Sequence, residues 1–189
     1  MNEEKLMNRV ISIPSTYQLV SCKTVQRNGD PVLMLRYQPF GVFQENGPRI
    51  IGIFDHHRVL SLKQLTVVPA SDRLSTKQAP AQALKLFQQL DAEYAKGLSF
   101  IRVEDQRRSF INATGETVVF PVLWVKFGHQ NGTYNWVTFA LDGTMIEMEI
   151  ESQWDYFRGR RATEMWDNDD WVNAREEHGP QLPSPNALA

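Results

Sequence analysis

Along most of this chain apolar and polar residues alternate with the two-residue period of a strand rather than the longer period of a helix. After Gly97, four such segments follow in close succession: LSFIRVEDQ (98–106), TVVFPVLWVKF (117–127), YNWVTFAL (134–141) and TMIEMEIE (144–151). Turn chemistry separates them: NATGE at 112–116, GHQNGT at 128–133, and Asp142-Gly143, the dipeptide a tight hairpin favours. This spacing predicts an antiparallel meander. In the last segment Glu147, Glu149 and Glu151 alternate with Ile146, Met148 and Ile150, which predicts one wet face and one dry face. The second segment is apolar on both faces, and Pro121 within it argues for a bulge or an edge position.

The first half repeats the rhythm. YQLVSCKTVQ (17–26) and PVLMLRYQ (31–38) meet at Arg27-Asn28-Gly29-Asp30, and PRIIGIF (48–54) and VLSLKQLTVV (59–68) meet at Asp55-His56-His57-Arg58. Asn28-Gly29 aligns with Thr114-Gly115, and Asn46-Gly47 with Asn131-Gly132, so an imperfect internal duplication is expected. The clearest helical signal precedes the second meander: Ala83, Phe87, Leu90 and Tyr94 recur at helical spacing, with Gly97 as the stop. Before the first meander, NEEKLMNRVIS offers only a short helix that Pro14 ends. The expected division is a degenerate first half over 1–74, a helix with four strands over 75–152, a C-terminal helical segment over 153–178, and a disordered tail over 179–189.

A helix followed by a four-stranded meander whose last hairpin reads VTFALDGTMIEME resembles the PepSY-like modules, best over 75–151 and as a degenerate copy over 17–68. The resemblance implies an α+β fold of cystatin-like layout, a helix packed on an antiparallel four-stranded meander and duplicated in tandem, here closed by a C-terminal helix. It also implies a non-catalytic binding or regulatory role; such modules are often exported and sometimes linked to peptidases. It carries over no functional residue, because it rests on layout.

Charge narrows the partners. Twenty basic and twenty-two acidic side chains leave a net charge of −2, a field too weak to argue for nucleic acid or an anionic membrane. No apolar run approaches the ~20 residues needed to span a bilayer. The opening MNEEKLMNRVISIP lacks the pattern of a signal peptide, and Cys22 has no intrachain partner, so a cytoplasmic setting is expected. The sequons at Asn112 and Asn131 read as turns.

Candidate chemistry concentrates in EMWDNDDWVNAR (164–175). Taken as one helix from Thr163 to His178, it places Met165 and Val172 on an apolar stripe with Trp166 and Trp171 on opposite flanks. Asp169 then falls within the apolar face, where a carboxylate needs a partner; Arg158, Arg160 and Arg161 are the nearest cations. Asp167 and Asp169 diverge on such a helix, and an EF-hand register would put Val172 and His178 where a glycine and a glutamate belong, so no metal site is expected. Trp154, Arg160, Arg161, Trp166, Asp169 and Trp171 are the candidate ligand or partner-binding residues.

The remaining polar residues suggest less. His56-His57 and His129 lie in turns without a metal-ligand spacing, and His178 suits a helix end. Cys22 reads as a small buried residue of a strand. No nucleophile elbow, phosphate loop or dinucleotide fingerprint is present, so no catalytic residue and no cofactor is assigned. The expected function is non-catalytic recognition of a protein or peptide by a sheet face, a strand edge or the aromatic tail. The alternatives are a small-molecule enzyme using a cavity under a curved sheet, with His56, His57 or His129 as acid or base, and a carbohydrate-binding module stacking sugars on tryptophans. A homo-oligomer is compatible with any of these.

Overall fold

The computed structural model describes residues 3–56, 58–66 and 73–189. His57, and the end of the predicted strand beyond residue 66, lie outside the described residues. The chain is mixed α+β and mostly antiparallel sheet. A short helix α1 (Glu3–Met7) precedes a meander of β1 (Tyr17–Arg27), β2 (Asp30–Pro39), β3 (Arg49–Phe54) and β4 (Val59–Leu65). Helices α2 (Ala79–Leu90) and α3 (Ala92–Ala95) precede a second meander of β5 (Leu98–Ile111), β6 (Thr117–His129), β7 (Tyr134–Ala140) and β8 (Met145–Ser152). A two-strand ribbon, β9 (Trp154–Asp155) with β10 (Arg160–Arg161), and helix α4 (Asp169–Arg175) follow.

The two meanders join into one eight-stranded sheet of order β1-β2-β3-β4-β8-β7-β6-β5. Their last strands meet at the centre, where Ser61, Leu62 and Lys63 face Glu149, Met148 and Glu147. Strands β1 and β5 are the free edges. Local chemistry sets the turns: Asn28 and Gly29 both take positive φ, 54° and 93°, the conformation a two-residue hairpin requires. Pro121 finds its place because β6 outruns β7. Pairing with β7 begins only at Val122, so Pro121 faces Arg107 of β5 on one side and has no β7 partner on the other.

One face of the sheet carries the main apolar core. Leu35, Ile50, Leu62, Val125, Val137 and Met148 lie there in a single buried cluster with Leu6 and Met7 of α1. The predicted stripe of α2 packs onto it, with Ala79, Ala83 and Phe87 buried and Leu90 and Tyr94 at the margin. Phe87 meets Phe127 of β6 edge-on at 5.6 Å. Burying a ring of that size contributes about 1.5–3 kcal/mol. The helical signal extends over 79–95 but breaks at Asp91, whose extended backbone ends α2 and whose carboxylate accepts from the Tyr94 N–H to cap α3. Among the described residues, no helix is long and apolar enough to cross a membrane.

The edge position of β1 corrects one expectation. Cys22 lies in a strand but is exposed, because an edge strand here is covered on neither face at that point.

Candidate functional site

The second face of the sheet is built differently, and register explains how. Because side chains alternate across a strand, cross-strand partners line up in rows. One row runs Glu104, Trp124, Thr138, Glu147, Lys63 from β5 to β4. The neighbouring row runs Arg102, Lys126, Trp136, Glu149, Ser61. The central seam of the sheet is therefore charged on this face, and the β5–β6 side is aromatic and cationic.

The C-terminal segment crosses this charged seam and is pinned to it. Asn28 N–H donates to Glu164 at 2.8 Å, the Thr163 hydroxyl donates to Asn28 Oδ1 at 2.7 Å, and the Trp166 indole N–H donates to the Gln26 carbonyl at 2.7 Å. Lys63 Nζ binds Asp167 at 2.9 Å and Glu147 at 3.3 Å. Arg36 holds Asp169 bidentately at 2.5 and 2.9 Å, and the Asn46 N–H adds a bond to the same carboxylate at 2.6 Å. Glu149 accepts from Arg27 at 3.0 Å and also from Arg161.

These contacts overturn several expectations. Glu147 and Glu149 do not face solvent; Glu149 is 3 % exposed and Glu147 pairs with Arg108 and Lys63. Alternation of acid and apolar residues marks a polar face, and a polar face becomes buried when cations and a covering segment meet it. The helix does not run from Thr163 to His178. It begins after Asn168, whose side chain accepts from the N–H groups of Asp170 and Trp171, and ends at Arg175. Residues 163–167 stay outside the helix, and the side chains of Thr163, Glu164, Trp166 and Asp167 are bound to the sheet and its β1–β2 turn. Trp166 and Trp171 consequently do not lie on opposite flanks but meet edge-on at 5.0 Å. Asp169 is buried as expected, yet its partners are Arg36 and, at 3.9 Å, Arg49, neither of them the upstream arginines. Arg158 instead binds Asp155, and Arg161 binds Glu149.

Electrostatics follow the geometry. Burial alone would raise the carboxyls of Asp167, Glu147 and Asp169; the facing cations more than offset it, holding Asp167 at about 2 and the other two below the usual carboxylate range. Burial draws the Arg49 guanidinium below its ordinary value, with Asp169 opposing. An acid or base needs a proton that exchanges near the working pH. These carboxylates hold none there.

Between the covering segment and the β5–β6 side lies an open cleft of about 540 Å³. Trp124, Trp136 and Trp154 line it together with Arg102, Lys126 and Arg161. Trp124 and Trp136 sit 5.8 Å apart at 49°, and the Arg161 guanidinium lies 5.1 Å over Trp136. Lys126 Nζ lies 3.7 Å over the Tyr134 ring and 5.6 Å over Trp124. Tyr134 in turn shares a 2.5 Å hydrogen bond with the exposed Tyr156, a contact that raises its pKa. The Lys126 ammonium is drawn below its ordinary value by burial first and then by Arg102.

Of the residues singled out from sequence, Trp154 and Arg161 face one another across the β9–β10 ribbon and line this cleft. Arg160 lies in the same ribbon without lining it, and Trp166, Asp169 and Trp171 form the anchor that holds the covering segment. Trp171 is 1 % exposed, a core residue. The cations Arg102 and Lys126 were missed. Lys63 and Arg36 were missed as well, although Val32, Met34 and Arg36 share a strand face, and a cation extending an apolar stripe is a usable sign of a buried pair. His129 is outside the cleft: it stacks on Tyr94 at 4.1 Å, its Nδ1 accepts from the Asn131 N–H, and its Nε2 donates to the Tyr94 carbonyl. His56 does not line the cleft either, and no group of residues among those described forms a metal site. The last residues, 179–189, return toward the ribbon, with the Arg161 N–H donating to the Pro185 carbonyl and Ala187 buried.

Comparison with known protein families, with curated proteins and with solved structures finds no match to this chain.

Proposed function

We propose that this protein is a non-catalytic binding or regulatory protein that recognises a protein or peptide partner in the cleft on the second face of its sheet. The observation that carries this reading is the lining itself: three tryptophans, none fully buried, interleaved with arginine and lysine side chains on the sheet and the β9–β10 ribbon. Tryptophan, tyrosine and arginine dominate recognition hot spots because they combine large apolar area with a few directed bonds. The carboxylates nearby are already neutralised by cations, which favours binding over acid–base chemistry.

The cystatin-like, PepSY-like duplication belongs to the same reading. Its support is the repeated order of helix and four-strand meander, with β4 and β8 in equivalent positions at the central seam. In that arrangement each half covers one face with its helix; on the other face the C-terminal segment covers the first half and leaves the β5–β6 side for recognition. A cytoplasmic setting is part of this proposal.

The experiment is a tagged pull-down from the native host with Trp124→Ala in the cleft and Leu19→Asp on the exposed β1 edge. The expected result is a stoichiometric partner that Trp124→Ala loses and Leu19→Asp keeps. The opposite pattern would assign recognition to the strand edge. A cleft volume of about 540 Å³ also suits a small molecule, and this favours a second reading as a small-ligand site. The carbohydrate reading is weaker, because the adjacent Trp124 and Trp136 are tilted at 49° rather than coplanar.

A further inference from the structure

The β5–β6 end of the cleft contains an electrostatic arrangement that folding does not explain. Arg102 and Lys126 are direct cross-strand partners, and like charges placed opposite one another destabilise a sheet. Both cations stand over one ring, Arg102 at 5.7 Å and Lys126 at 5.6 Å from the centre of Trp124. Glu104 binds Arg102 at 2.5 Å and acts on Lys126 only at longer range. Among the described residues, no carboxylate lies within ion-pair distance of Lys126. Deeper in the cleft, Arg161 gives one guanidinium nitrogen to Glu149, while its Nε, like those of Arg27 and Arg49, is buried without a hydrogen-bond partner. Each cation on the covered seam has a carboxylate within 3.9 Å, with Arg36 and Arg49 sharing Asp169 and Arg27 and Arg161 sharing Glu149; among the described residues Lys126 has none.

We propose that the cleft recognises an acidic chain segment, with the carboxylate of an Asp or Glu docked between Arg102 and Lys126 and a neighbouring apolar or aromatic side chain laid on Trp124 and Trp136. This rests on the reading of the cleft as a peptide-binding site and names the chemistry of its partner. Charge complementarity selects the occupant: a carboxylate satisfies two adjacent cations, relieves their mutual repulsion, and leaves the indole faces for apolar contact. A polyphosphate backbone suits the site less well, because it needs a track of free cations, and Lys63, Arg108 and Arg161 along the rest of the cleft are already paired with carboxylates.

Labelled decapeptides of one Gly-Ser frame test this, each carrying Phe-Asp, Trp-Asp or Leu-Glu at the centre beside its Asn or Gln counterpart. Binding to the full chain is read by fluorescence anisotropy at low and high salt, with oligo(dT) as a parallel probe. The acidic peptides are expected to bind about five- to tenfold tighter than their amide counterparts, the gain of an ion pair at a half-buried site, and to lose that advantage at high salt. Arg102→Gln and Lys126→Gln should each remove most of it. Glu104→Gln frees Arg102 from its internal carboxylate and should strengthen acidic-peptide binding, an outcome that a merely structural role for these residues does not produce.

Equal binding of acidic and amide peptides, abolished by Trp124→Ala, would overturn the carboxylate assignment and leave the peptide cleft standing. Binding of oligo(dT) in preference to every peptide would overturn both in favour of a nucleic-acid platform. No binding by any peptide, with wild-type circular dichroism and melting intact, would also overturn both.

Discussion

The two ends of the second sheet face carry the same residue types and do opposite things with them. At the β2–β4 end, Arg36 and Lys63 meet Asp169, Asp167 and Glu147 within 3.3 Å, beneath the C-terminal segment. At the β5–β6 end, Arg102 and Lys126 face each other over Trp124, with Glu104 as their one neighbouring ion-pair partner. A buried cation matched by a carboxylate is part of the structure, because removing either partner strands a charge in low dielectric. Cations left in excess on an accessible aromatic surface are available to a ligand. The difference teaches that charge clusters are sorted by their completeness rather than by their composition.

The largest effect that tests this contrast lies at the closed end. Asp169→Ala leaves Arg36 buried without its bidentate partner and deprives the Asn46 N–H of its acceptor. The expected cost is about 3–5 kcal/mol by urea denaturation, large enough to release the covering segment. Trp171→Ala, at a fully buried indole that Trp166 meets edge-on, should cost a similar ~3–5 kcal/mol through the cavity it opens. A loss below ~1 kcal/mol in both variants would mean that the segment is not held by these contacts, and the two ends would no longer differ in kind.

How much of this was legible beforehand depends on the range of the interaction. The meanders were readable because period-two alternation and dipeptides such as Asn28-Gly29 and Asp142-Gly143 act locally. The α2 stripe was readable for the same reason, since Ala83 and Phe87 lie one turn apart on it. Burial of Asp169 could be argued from its place among apolar residues, but its partner could not, because Arg36 is 133 positions away. The faces of Glu147 and Glu149 were misread for a related reason: solvent and a layer of matched cations impose the same alternation on a strand. Asn168 is a good cap on its own letters, and only the contacts made by 163–167 decide that the helix starts there and not at Thr163. Cys22 shows the limit most simply, since exposure on β1 depends on strand order, which no local pattern contains.

Acid titration gives the next effect in size. Asp167 is held at about 2 in the folded chain, below the roughly 4 of an unfolded aspartate, so its contribution is present above pH ~4 and is lost as pH falls toward 2. The shift corresponds to about 2 kcal/mol at neutral pH. Stability measured from pH 6 down to 2 should fall through that window, and Lys63→Met should flatten this part of the profile because it removes the more influential of the two cations, Lys63 and Arg161, that depress the carboxyl. An unchanged profile in Lys63→Met would place the acid-labile interaction elsewhere.

The smallest predicted effect separates the ends most cleanly. Lys126→Gln removes a cation that, among the described residues, has no carboxylate within ion-pair distance and that repels Arg102 across the strand pair. If the open end is kept for recognition, folding loses only the contact of the ammonium with Tyr134 and Trp124 and gains relief from the like-charge pair. These contributions are each on the order of 0.5–1 kcal/mol and oppose one another, so the unfolding midpoint should move by no more than about 0.5 kcal/mol in either direction. Asp169→Ala and Lys126→Gln thus each remove one charge from the same side of the sheet, the first from the covering helix and the second from β6, and should differ several-fold in cost. If Lys126→Gln instead destabilises the fold as strongly as Asp169→Ala, the ammonium is holding the sheet together, the two ends are alike, and the cations at the open end are not held in reserve for a partner.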